Sequence, residues 1–119
     1  MSTGEAWVEV VGDLVVARVR GEPTEALLRD TQEKVLQLVR DAERGKVLYD
    51  TLEMTPPPVD VPWAQRELDA QLGPIKLRRA IVVPNSKLAF LARLAFGDGD
   101  YKVFYNDMVA AITWLSRDE

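Results

Sequence analysis

The sequence predicts an α/β fold with the element order β-β-α-β-α-β-α-β-α, in which a mixed, mostly parallel five-stranded sheet carries one antiparallel hairpin. Three observations predict it. Two stretches rich in β-branched residues flank Gly12-Asp13, the pattern of two strands joined by a tight turn. Past residue 20, segments with helical apolar spacing alternate with short apolar runs. Such alternation implies a largely parallel sheet built by right-handed crossovers. Finally, Ala80 to Val83 is continuously apolar, as expected of an interior parallel strand covered on both faces.

The elements follow in order. The hairpin strands are Trp7 to Val11 and Leu14 to Arg20. In the second, Val15, Ala17 and Val19 alternate with Val16, Arg18 and Arg20, so one face is the more polar. Gly21-Glu22-Pro23-Thr24 breaks the strand, and Pro23 or Thr24 can open a helix. Leu28, Thr31, Val35, Leu38, Val39 and Ala42 then recur at helical spacing, and Gly45 is placed to end the helix. Lys46 to Asp50 reads as a short buried strand. Thr55 to Pro62 holds four prolines in eight residues, which exclude a helix or central strand and favour a stiff extended loop. A second helix follows, with Trp63 at its start and Ala64, Leu68 and Leu72 on one face, until Gly73-Pro74 stops it. After the Ala80 strand, Ser86 caps a third helix from about Lys87 to Phe96. Gly97-Asp98-Gly99-Asp100 is a turn, Tyr101 to Tyr105 a short strand, and Asn106 or Asp107 caps a last helix ending near Ser116.

Composition narrows the chemistry. A chain of 119 residues fits a single domain spanning 1–119 and can bury a core without disulfides or metals. Fifteen Lys and Arg stand against 19 Asp and Glu, a net charge of −4 that disfavours general binding to nucleic acid. There is no cysteine and no histidine. Thiol catalysis, thiolate metal sites, Ser-His-Asp triads and histidine-based zinc or iron sites are thereby excluded. Carboxylate, lysine or tyrosine chemistry remains, as does binding. No apolar run approaches the ~20 residues of a bilayer span, and no basic start precedes an apolar core. The expectation is a cytoplasmic protein without cofactor or metal.

Several stretches resemble the SpoIIAA-like family within the broader STAS fold. Val47-Leu48-Tyr49-Asp50 looks like that group's strand ending in Asp, and Trp63 sits where members often carry Trp at the next helix start. Arg79-Ala80-Ile81-Val82-Val83 and Lys102-Val103-Phe104-Tyr105 resemble later strands of the family. Ala111-Ile112-Thr113-Trp114-Leu115 resembles its A-x-x-W-L ending. The resemblance covers nearly the whole chain. It implies a non-enzymatic role, a tendency to form a homodimer, and association with membranes or apolar ligands. In STAS anti-sigma-factor antagonists a Ser after the Asp-ending strand is phosphorylated within a D-S-S-G-type motif. Here Asp50-Thr51-Leu52-Glu53-Met54-Thr55 departs from that motif, leaving Thr51 and Thr55 as the nearby hydroxyls. A phosphorylation-controlled interaction module is therefore the alternative reading.

Two candidate sites emerge. Open α/β sheets bind ligands outside the carboxyl ends of their strands, which here places Asp50, Thr51, Asn85 and Ser86 at one edge, with Trp63 as a candidate wall. Ordinary capping by Asp and Ser, and a core role for Trp63, are the bland readings. The second candidate is the third helix, Leu88 to Phe96, apolar almost all round. If Leu88, Leu91 and Ala95 face the sheet, Phe90 and Leu94 point elsewhere, flanked by Lys87 and Arg93. Core, a dimer partner, or an apolar ligand or peripheral membrane surface are the three possible coverings. Lys76, Arg78 and Arg79 form a basic cluster that reads as a solvated strand entrance or, alternatively, a phosphate site. Gly97 to Asp100 lacks the layout of a calcium loop, and Glu67 and Asp69, two apart on a helix, do not face one another.

Overall fold

A computed structural model describes residues 4–42, 45–55, 78–96 and 101–117. The proline-rich segment beyond Thr55, the second expected helix with Trp63, Glu67 and Asp69, Lys76, and the expected turn at 97–100 lie outside the described residues.

Five strands and three helices are described: β1 (Glu5–Val11), β2 (Leu14–Gly21), α1 (Glu25–Ala42), β3 (Lys46–Met54), β4 (Arg78–Val83), α2 (Ser86–Phe96), β5 (Tyr101–Tyr105) and α3 (Met108–Leu115). The expected third helix is thus α2, and the expected last helix is α3. The sheet runs β1-β2-β3-β4-β5, with β1 and β2 antiparallel and every later pair parallel. This is the mixed sheet with one antiparallel hairpin that the sequence predicts.

Local chemistry explains the element ends. Gly12 has φ 61° between the paired residues Val11 and Leu14, and a two-residue hairpin needs a positive φ at that position. The Thr24 hydroxyl accepts from the Leu27 amide at 3.1 Å, so Thr24 caps α1. Asp107 caps α3 by accepting from the Ala110 amide at 2.9 Å. At α2 the cap is Asn85 rather than Ser86: the Asn85 Oδ1 accepts from the Leu88 amide at 2.9 Å.

β3 runs four residues past the expected end at Asp50. Arg18 pairs with Asp50 but Arg20 with Glu53, so β3 carries one extra residue over this interval. Such a bulge breaks the alternation of side chains, and that is why this stretch does not read as strand in sequence.

Two apolar layers cover the sheet. On one face Val15, Ala17, Val47, Tyr49, Ile81 and Val83 pack with Val35, Leu36 and Val39 of α1 and Leu88, Ala89 and Leu91 of α2. On the other face Leu14, Leu48, Ala80 and Val82 pack with Ala111 and Leu115 of α3. α3 lies against β3, β4 and β5. Its C-terminal end is anchored by Arg78, which donates to the carbonyl of Trp114 at 3.0 Å and sits 4.2 Å over that indole. The guanidinium thus satisfies a helix-end carbonyl while stacking on an aromatic face.

Replacing Gly12 by Ala meets no atom within 4 Å of the added Cβ, so any cost comes from φ alone. The expected loss is about 1–2 kcal/mol, with Gly12→Asn losing less, measured by chemical denaturation. Equal stability of all three chains would contradict the turn assignment.

Candidate functional site

The carboxyl ends of the parallel strands are occupied from within. Asp50 is buried, and both of its oxygens are engaged. Oδ2 accepts from Arg18 Nε at 3.1 Å, across the β2–β3 pair. Oδ1 accepts from the Leu52 amide at 3.2 Å, so the carboxylate takes up a backbone donor at the bulge.

Thr51 is also buried, and its hydroxyl donates to the Val82 carbonyl at 2.6 Å, just where the β3–β4 pairing ends. Asn85 is spent on the α2 cap, while Ser86 is exposed in the first turn. Asn106, in a left-handed conformation with φ 51°, closes the end of β4: its amide donates to the Val83 carbonyl and its side chain to that of Pro84. The described strand-end residues thus bond to β2, to β4 and to the helix start, each in a separate local contact.

The basic cluster differs from a solvated entrance. Arg78 is half-buried against α3, and Arg79 is buried at 4% exposure. Both belong to an interior strand covered by helices on its two faces, which buries Arg79 and leaves Arg78 half-buried.

The outward side of α2 is narrower than its composition suggests. Leu88, Ala89 and Leu91 are buried in the core. Leu94 is half-buried and packs against the same cluster, so it does not point away as expected. The exposed stripe is Lys87, Phe90 and Arg93, with Phe90 53% exposed.

Two other surfaces were not singled out by the sequence reading. α3, Met-Val-Ala-Ala-Ile-Thr-Trp-Leu, contains no charged residue, and its Val109 is 75% exposed beside Ile112 at 40%. The signal was present: eight residues without a charge cannot form an ordinary amphipathic surface helix. The second surface is the open face of β1 and β2. Register places Trp7 opposite Arg18 and Glu5 opposite Arg20. Arg20 lies 5.0 Å over the Trp7 ring and 3.3 Å from Glu5. The hairpin register set by the two-residue turn at Gly12-Asp13 is enough to bring these side chains together.

No family model and no curated protein matches the chain. Among solved structures it is similar to an uncharacterised protein of the DUF3478 family with a SpoIIAA-like fold, from Shewanella loihica PV-4. The two are 20% identical, with a TM-score of 0.66 over 95% of this chain and 94% of the other. The fold is SpoIIAA-like. On this SpoIIAA-like frame the two threonines after Asp50 differ sharply in access. Thr51 is buried with its hydroxyl committed to Val82, whereas Thr55 is exposed just past β3. A kinase reaching Thr51 would first have to open the end of the strand.

The Asp50 contacts yield a stability prediction. Asp50→Ala removes an acceptor from a part-buried amide and from Arg18, an expected loss of about 1–3 kcal/mol in chemical denaturation. Asp50→Asn keeps an acceptor for Leu52 and is expected to lose less. An Ala variant as stable as the parent would refute the bulge-capping role.

Proposed function

We propose that this SpoIIAA-like chain is a non-catalytic binding or regulatory domain that self-associates through the outward face of α3. The observation that supports it is the uncharged helix with Val109 75% exposed. Ile112, 40% exposed one turn further along the helix, adds further apolar surface. Isologous contacts bring a patch against its own copy, so a patch without charge meets no like-charge repulsion there. Core residues of protein interfaces are likewise depleted in charge.

A second reading rests on a different element. Phe90 stands between Lys87 and Arg93 on the exposed stripe of α2. In a self-paired stripe these cations would face cations, whereas an anionic lipid surface would attract both and accept the ring. One aromatic and two cations support a weak, reversible contact. No helix among the described residues is long and apolar enough to cross a membrane.

Val109→Asp is expected to shift sedimentation toward monomer while changing stability by no more than about 0.5 kcal/mol, because the site is exposed. A parent chain that sediments as monomer at all concentrations would sink the self-association reading. For the lipid reading, flotation with phosphatidylserine vesicles is expected to carry the parent and to lose Phe90→Ser, with added salt weakening the contact. Equal flotation of both chains would reject that use of Phe90.

A further inference from the structure

We propose that the open face of β1 and β2 is a binding site for a small organic carboxylate with an apolar body, held end-on by Arg18 and walled by Trp7. A groove of about 620 Å³ opens there, well within the size of small-molecule sites. Arg18 and Arg20 line it on this face against one carboxylate, Glu9, while Lys34, which also borders the groove, belongs to α1 on the other face. Trp7 and Val16 supply its apolar wall, and Trp7 is 46% exposed.

Arg18 is set for this role by Asp50. It meets that carboxylate through Nε alone, at 3.1 Å, so among the described residues its two terminal amino groups have no acceptor. They form a fork whose spacing matches the two oxygens of a carboxylate. The Arg18 side chain is 60% exposed while Asp50 is 11% exposed, so one end is anchored and the other faces the groove. A smaller hollow of about 230 Å³, lined by Arg18, Asp50, Leu52 and Glu53, lies beside the same pair.

The neighbouring carboxylates do not neutralise the fork. Glu5 and Glu53 both draw on Arg20, at 3.3 and 4.0 Å, and those pairs are solvent-exposed. Exposed ion pairs are weak and yield readily to a competing anion. Arg20 also holds the Trp7 ring from one side at 5.0 Å, which restricts the indole before any ligand arrives.

The test is an NMR titration of the full chain, labelled with ¹⁵N, against 3-phenylpropionate. The expected result is a saturable shift of the Arg18 Nε–H and Trp7 indole N–H resonances. The matched alcohol, 3-phenylpropan-1-ol, and inorganic phosphate should each bind far more weakly. Arg18→Lys keeps the charge and loses the fork, and is expected to weaken binding roughly tenfold or more. Trp7→Ala, a change at a half-exposed edge-strand position, is expected to weaken it by a similar factor and stands in if the Lys variant fails to fold. Phe90→Ser should bind as the parent does, which separates this site from the α2 stripe. No saturable shift with 3-phenylpropionate would overturn the proposal. So would equal binding of the alcohol or of phosphate, or unchanged affinity in a folded Arg18→Lys chain.

Discussion

The structure depends on one constraint: β3 and β4 run parallel in the middle of the sheet and must be kept dry on both faces. A parallel neighbour is reached only by a long crossover, so helices end up against the sheet. Here α1 and α2 take one face and α3 the central and far strands of the other. Val15, Val47 and Val82 are fully buried as a result. α2 and α3 have only 11 and 8 residues, so much of their surface is needed for contact. That explains why α2 and α3 are rich in small and apolar side chains. It also explains where charge goes: the described ion pairs lie mostly on the hairpin, where Arg18 and Arg20 meet Asp50, Glu5 and Glu53.

The same constraint changes the meaning of the strand ends. In an open α/β sheet the carboxyl edge is where ligands usually settle. Here that edge must also absorb a bulge in β3 and the stop of the β3–β4 ladder, and each leaves backbone groups to satisfy. Asp50 takes the Leu52 amide, Thr51 the Val82 carbonyl, and Asn106 the carbonyls of Val83 and Pro84. Leaving such groups unpaired costs more than a typical hydrogen bond gains. Polar residues at this edge are therefore accounted for by structure before any ligand is considered. Arg18 differs, because Asp50 engages only one of its nitrogens.

The sequence was most legible where a local rule acts alone. Gly12 marks the hairpin, and the starts of α1 and α3 are narrowed to Pro23 or Thr24 and to Asn106 or Asp107, because a turn or a cap is decided within three or four residues. β5 falls at Tyr101–Tyr105, where the pattern put it. Legibility faded where two local rules compete. Asn85 and Ser86 are both good caps, and only the end of β4 at Val83 decides between them. It failed where partners are distant. The Arg18–Asp50 pair spans 32 residues, and the bulge that follows it hides the last four residues of β3 from any period-two reading. Composition also misled on the helices. α2 looks the more exposed apolar element in sequence, yet Leu94 is half-buried against the core and α3 bears the more exposed aliphatic residue in Val109.

Placement relates the three surfaces to one another. α3 packs on the sheet face that also carries Leu48 and Val82. By register Arg18 neighbours Asp50, and Asp50 neighbours Val82, so the Arg18 fork and Trp7 belong to that same face. α2 packs on the opposite one. A second copy seated on α3 would therefore share a side with the groove on β1 and β2, while the Phe90 stripe would stay clear of it. On the two proposals together, a ligand in the groove and a copy on α3 would meet the same side of the sheet, next to the Arg18–Asp50 pair. Contact through α2 would not, because the buried strands β3 and β4 stand between. Coupling between sites requires a shared element that both can bias. In this fold β3 touches both, since Asp50 and the residues that receive α3 lie on the same face of it.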